Sequence, residues 1–125
     1  MGLKLNNHAA YELGKKGERL SSKYLIKKGY TILDLNFKCK LGEIDIIARK
    51  NDKIYFFEVK TRSSLFYGDP IDFIGESQLS HLTKAIGYFI KINSLEGLEI
   101  QIDVIEMLVK DGKWNIRHTE NALIL

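Results

Sequence analysis

The sequence predicts a mixed α+β domain in the order α-β-β-β-α-β-β, on three observations. Two stretches, His8 to about Lys28 and Gly75 to about Asn93, carry apolar residues at helical spacing. Between them lie three β-rich runs, the last two joined at Asn51-Asp52. After the second helix, a long β-rich run meets Asp111-Gly112, a strong hairpin signal.

In the first helix, Leu13, Gly17, Leu20, Ser21, Tyr24 and Leu25 form one arc of small and apolar residues. Lys28-Gly29 places a cation and a C-terminal glycine at its stop. Tyr30–Phe37 reads as the first strand, Glu43–Arg49 (opened by Gly42) as the second and Lys53–Lys60 as the third. Asn and Asp tolerate turn conformations, so a tight antiparallel hairpin at Asn51-Asp52 is the economical reading. Ser63–Gly68 reads as a loop. The second helix rests on Leu79, Leu82, Ile86, Phe89 and Ile90. Leu98–Val109 and Lys113–His118 then form the last two strands.

With 125 residues, the chain is the size of a single domain, taken as residues 1–125. Apolar content of 45% and charged content of 28% are those of a globular protein and argue against wholesale disorder. No apolar run approaches the roughly 20 residues that span a bilayer. Met1–Leu13 is too polar for a secretory signal. Cys39 is the lone cysteine, so no internal disulfide forms, and no Cys/His grouping has zinc-ligand spacing. The expected setting is the cytoplasm, away from membranes. A net charge of +3 permits nucleic-acid binding without demanding it.

The segment GEIDIIARKNDKIYFFEVKTR, residues 42–62, is the most informative. If Asn51-Asp52 is a two-residue turn, Lys50 pairs with Lys53. Asp45 then falls opposite Glu58, and Glu43 opposite Lys60. Side chains alternate along strands, so these four would share one face, with Ile44, Ile46, Ala48, Tyr55, Phe57 and Val59 on the other. Directly opposed carboxylates, about 4.5–5.5 Å apart at Cβ, repel unless a cation separates them. Mg²⁺ takes one or two carboxylates and completes its shell with water and phosphate oxygens. Lys60 could hold a scissile phosphate or help deprotonate water. Ligand, ligand and cation are the parts of metal-assisted phosphodiester hydrolysis. Alternating charge on an exposed strand, with Glu43–Lys60 an ordinary cross-strand pair, explains the same residues structurally.

On the first helix, Lys15, Arg19, Lys23 and Lys27 recur at i,i+4, where like charges repel. Such a stripe suits a polyanion, although a solvated face partly neutralised by Glu12 accounts for it equally. Glu18 lies between the apolar arc and this stripe. It could reach a metal directly or through water, and pairing with Lys15 is the structural alternative. Trp114, His81 and Cys39 read as structural. Asp103 in an apolar strand needs a partner if buried, and is also read as structural.

Gly17-Glu18, Gly29-Tyr30, Asn36, Gly42-Glu43-Ile44-Asp45, Glu58-Val59-Lys60-Thr61-Arg62, Gly68 and Pro70 resemble the YraN-like family of bacterial proteins, which is expected to be endonuclease-like. The likeness covers most of the chain, extending to Asp103 and His118–Ala122. GEID followed about a dozen residues later by EVKTR is its most specific part. That family is similar to archaeal Holliday-junction resolvases and to the PD-(D/E)XK nucleases. The resemblance implies an αβββαβ core with a mixed sheet. It makes Asp45 the motif aspartate, Glu58 the variable acid, Lys60 the lysine and Glu18 the helical glutamate. It also implies Mg²⁺ or Mn²⁺, a DNA substrate with branched DNA among the candidates, and a homodimer. Glu43 is then a supporting residue that orients Lys60 or Arg62, and Lys15, Arg19, Lys23, Arg62 and Gln78 are nucleic-acid contacts. One departure counts against activity. Gln78 stands where the family usually carries a basic residue, and its amide suits either a phosphate or base contact or a helix cap.

Three function classes follow. The first is a metal-dependent nuclease. The second is a nucleic-acid-binding or partner-binding module on the same fold with little catalysis. The third is an adaptor whose charged hairpin is only surface.

Overall fold

The computed structural model describes residues 7–62 and 74–123. The elements are α1 (Asn7–Lys27), β1 (Thr31–Cys39), β2 (Gly42–Lys50), β3 (Lys53–Arg62), α2 (Glu76–Ile92), β4 (Glu99–Lys110) and β5 (Lys113–Leu123). One mixed sheet has the order β1-β2-β3-β4-β5, antiparallel throughout except for the parallel pair β3–β4. A parallel pair needs a crossover, and α2 lies within it. The loop read at Ser63–Gly68 lies outside the described residues.

Each helix covers one face of the sheet. Leu25, Leu20 and Tyr24 of α1 pack with Ile46, Ala48, Phe57, Ile105 and Met107. Leu82, Ala85, Ile86 and Phe89 of α2 pack with Ile47, Ile54, Phe56, Ile102 and Val104. Neighbours Ile46 and Ile47, like Phe56 and Phe57, thus divide between two cores, as a strand's period of two requires.

The arc on α1 is seated as its residues dictate: Gly17, Ser21 and Leu25 are buried. Ser21 Oγ donates to the Gly17 carbonyl at 2.8 Å, which satisfies the buried hydroxyl within the helix. The helix stops at Gly29, whose φ of 94° suits a residue without Cβ. Tyr30 N then donates to Leu25 O and Gly29 N to Ile26 O, the paired bonds of a Schellman cap. Asn51 (φ 56°) turns β2 into β3, with Lys50 paired to Lys53.

Two expectations need correction. Ile44 does not share a face with Ile46; it joins the α2 core. The alternation breaks where Leu35↔Ile46 and Phe37↔Ile44 flank Asn36 and Asp45, and Asn36 has a left-handed φ of 54°. An L-residue in that conformation re-aims the strand locally. Strand β5 also runs five residues past His118. Its register shifts between Ile102 and Val104 of β4, at Asn121 (φ 52°), whose N–H donates to Asp103 Oδ1 at 2.8 Å. The mostly polar pattern of this edge strand hides that extension from a periodicity reading.

Candidate functional site

The pairing of β2 with β3 runs from Lys50↔Lys53 to Ile46↔Phe57, whereas β3 stays paired to β4 as far as Arg62. Beyond Phe57 the side chain of Asp45 takes over from the ladder, its Oδ2 accepting the Val59 N–H at 2.8 Å. Glu43, expected opposite Lys60, pairs instead with Lys38 of β1 and is exposed. Asp45, Glu58 and Glu43 nonetheless line one cleft of about 750 Å³, closed on the other side by Gly75, Ser77, Gln78 and His81 at the start of α2.

Glu58 is 6% exposed and Lys60 Nζ lies 3.3 Å from its Oε1. Gln78 Nε2 donates to the same Oε1 at 2.7 Å. Both cationic and amide partners therefore converge on one oxygen, and neither they nor the Val59 N–H fall on Glu58 Oε2 or Asp45 Oδ1. Gln78 is not a cap: the α2 N-cap is Gly75, without a side-chain capping bond.

Burial, then the charge of Glu58, push the Asp45 carboxyl up to about 7; the Val59 N–H opposes, and Glu18 and Glu43 add to the rise. Burial raises Glu58 as well, against the opposing charge of Lys60 and with Glu43 and Glu18 adding to the rise. Four carboxylates thus share one field, with Lys60 beside Glu58, and the rise at both Asp45 and Glu58 shows that the field favours added positive charge.

Glu18 reaches this field from the opposite helix, and forms an ion pair with Lys15 at 3.6 Å. The close approach depends on Gly17, where a Cβ would stand 2.0 Å from Thr61 Oγ1. Gly42 plays the same part on the other side, where a Cβ would meet the His81 carbonyl oxygen at 2.5 Å. Both Gly-Glu dipeptides therefore set a carboxylate beside a point of helix–strand contact. Their sequence signal is a glycine within an apolar arc and a glycine opening a strand. Arg19, Lys23 and Lys27 are exposed along α1, and Lys15 and Arg62 are half-buried.

A second acidic group lies beneath α1. Asp103 is fully buried, and its Oδ2 takes a 2.7 Å bond with His118 Nε2 while Oδ1 accepts from Gln101 Nε2 at 2.8 Å. With Nε2 donating, His118 Nδ1 accepts the Tyr24 hydroxyl at 2.9 Å. Asp103, His118 and Glu120 offer ligand atoms within 4.8 Å of one another, a donor set compatible with a metal ion. The expected partner of Asp103 is thus His118, close across the Asp111-Gly112 hairpin, where Ile105 pairs with His118. Cys39, read as inert, and His81, read as an exposed helix residue, both line the cleft. Among the described residues, no helix is long and apolar enough to cross a membrane.

A model of the Uncharacterised protein family UPF0102 matches residues 17–107, a span that opens on Gly17-Glu18 and takes in the whole cleft hairpin. A UPF0102 protein of Syntrophomonas wolfei is 43% identical over 111 residues, covering 89% of this chain and 96% of its own. The UPF0102 protein FP2501 of Flavobacterium psychrophilum is 42% identical, covering 89% of this chain and 92% of its own. A third, from Caldicellulosiruptor saccharolyticus, is 42% identical over 113 residues, covering 89% of this chain and 96% of its own. At such identity over nearly the full length, in agreement with the family that the motifs resemble, the chain belongs to the UPF0102 family.

Proposed function

We propose that this protein is a divalent-metal-dependent endonuclease acting on DNA, with its active site at the open end of the β2–β3 hairpin. The observation that carries this reading is the pair of carboxylates lining one cleft, half-buried Asp45 and buried Glu58, with the Lys60 ammonium 3.3 Å from Glu58. The donor set fits a hard cation, because the internal contacts leave Asp45 Oδ1 and Glu58 Oε2 to face it. Mg²⁺ or Mn²⁺ bound there would polarise a phosphodiester and acidify its own water.

The protein's own residues do the rest. Asp45 and Glu58 hold the ion, and Glu18 and Glu43 deepen the negative potential that attracts it. Lys60 balances Glu58 and offers its ammonium to a phosphate oxygen. Gln78, whose amide is engaged on Glu58, acts here as a positioning residue more than as a DNA contact. Lys15, Arg19, Lys23 and Arg62 supply further phosphate contacts. The likeness to archaeal resolvases adds branched DNA and a homodimer to the reading, and the lone cysteine adds a cytoplasmic setting.

The test uses labelled single-stranded, duplex, flap and four-way-junction DNA with Mg²⁺, Mn²⁺ or EDTA. Cleavage is expected only with metal, and Asp45→Asn and Lys60→Ala each lower it by about 100-fold or more. DNA binding that is equal in EDTA and in both variants, with no cleavage by any of them, would instead establish a binding module on this fold.

A further inference from the structure

The turn between β1 and β2 carries a feature that neither the catalytic residues nor the α1 stripe uses. Lys40 and Leu41 form this two-residue turn, with Cys39 paired to Gly42 across its base. Lys38, Lys40 and Leu41 line the same cleft as Asp45 and Glu58. Both lysines are exposed, and Leu41 at the tip is 45% exposed. A single exposed leucine is ordinary on a protein surface. This one stands beside two cations at the mouth of an acid-lined cleft, and its support is fixed. Gly42 packs so closely on the His81 backbone that a Cβ would meet the carbonyl oxygen at 2.5 Å. The turn is therefore held against α2 and cannot fold its apolar tip away without losing that contact.

A rigid apolar tip flanked by cations has a defined chemistry toward nucleic acid. Lysines neutralise phosphates, while a leucine inserted beside a base replaces lost stacking and favours an already unstacked step. In a fully paired duplex the same insertion costs a few kcal/mol of unstacking. Resting on the nuclease reading above, we propose that the Lys38–Leu41 turn is a wedge that selects DNA with an unpaired or unstacked base beside the scissile phosphate. Lys38 and Lys40 grip the flanking phosphates, and Leu41 covers the exposed base face.

The test compares wild type, Leu41→Ala and the double variant Lys38→Ala/Lys40→Ala. Binding to a four-way junction, a flap and a fully paired duplex of equal length is followed by fluorescence anisotropy in EDTA at several salt concentrations. Leu41→Ala is expected to weaken branched-DNA binding by about 5- to 10-fold and to leave duplex binding within about twofold. The lysine double variant should weaken all three, and its salt slope should fall by about 2. A 2-aminopurine at the branch should brighten when wild type binds, and not when Leu41→Ala binds. These surface changes leave the fold intact, which circular dichroism checks. Wild-type binding with equal effects of Leu41→Ala on duplex and branched DNA overturns the wedge alone. No binding of any DNA by wild type at low salt overturns the nuclease reading and the wedge together.

Discussion

At Asp45, local geometry and electrostatics pull in opposite directions. The Val59 N–H favours the carboxylate, yet burial and the neighbouring Glu58 outweigh it, so the carboxyl is held up to about 7. A folded-state value above the unfolded one means that the metal-free fold binds the proton more tightly. Its stability from this group is full below about pH 4 and is lost as pH rises toward 7. Thermal melts in EDTA should therefore show the gain of Asp45→Asn over wild type growing from pH 5 to pH 8; a difference that does not change with pH contradicts this origin. Adding Mn²⁺ should restore wild type at pH 8 and leave Asp45→Asn unmoved. Gln78 acts through Glu58. Gln78→Ala should lower Mn²⁺ affinity by about 10-fold with little change in melting temperature in EDTA, and titration calorimetry reads the difference.

At the scale of elements, the site exists because two helices come unusually close to the sheet. Gly17→Ala drives a methyl into Thr61 and should cost about 1–3 kcal/mol by urea denaturation. Most of that obstruction is the Thr61 hydroxyl, so Thr61→Ala should recover part of the loss in a double-mutant cycle. Gly42→Ala meets the His81 backbone, and no single side-chain change should rescue it. On the far edge, Glu106 is fully buried and held by Arg117 through bonds of 2.6 and 2.8 Å. Arg117→Ala would leave that carboxylate uncompensated and should cost about 3–5 kcal/mol, measured the same way. The helices and the tight hairpins were legible in the sequence because apolar spacing and Asn-Asp or Asp-Gly turns are local signals. The full length of β5 was not. Its outer half is polar and includes Asn121 in a left-handed conformation, and what fastens it is the Asp103 carboxylate from another strand.

At the scale of the molecule, three acids among the described residues are buried while the lysines and arginines are not. Arg19, Lys23, Lys27, Lys38 and Lys40 lie on the surface, while Glu58, Asp103 and Glu106 are buried. Hairpin register was enough to bring Asp45 and Glu58 together on paper. It could not show that β2 leaves β3 at this point, because the cause is a side chain accepting a backbone N–H in place of a ladder bond. Nor could it show that Gln78, twenty residues along and on another element, would share an oxygen of Glu58 with Lys60. Such long-range convergence leaves no periodicity to read. The central claim is that Asp45 and Glu58 together hold a divalent cation, and Mn²⁺ titration calorimetry at pH 7.5 tests it most directly. One ion per chain is expected for wild type, with affinity reduced at least about 10-fold in both Asp45→Asn and Glu58→Gln. Equal Mn²⁺ binding by wild type and both variants, or none by wild type, would contradict it.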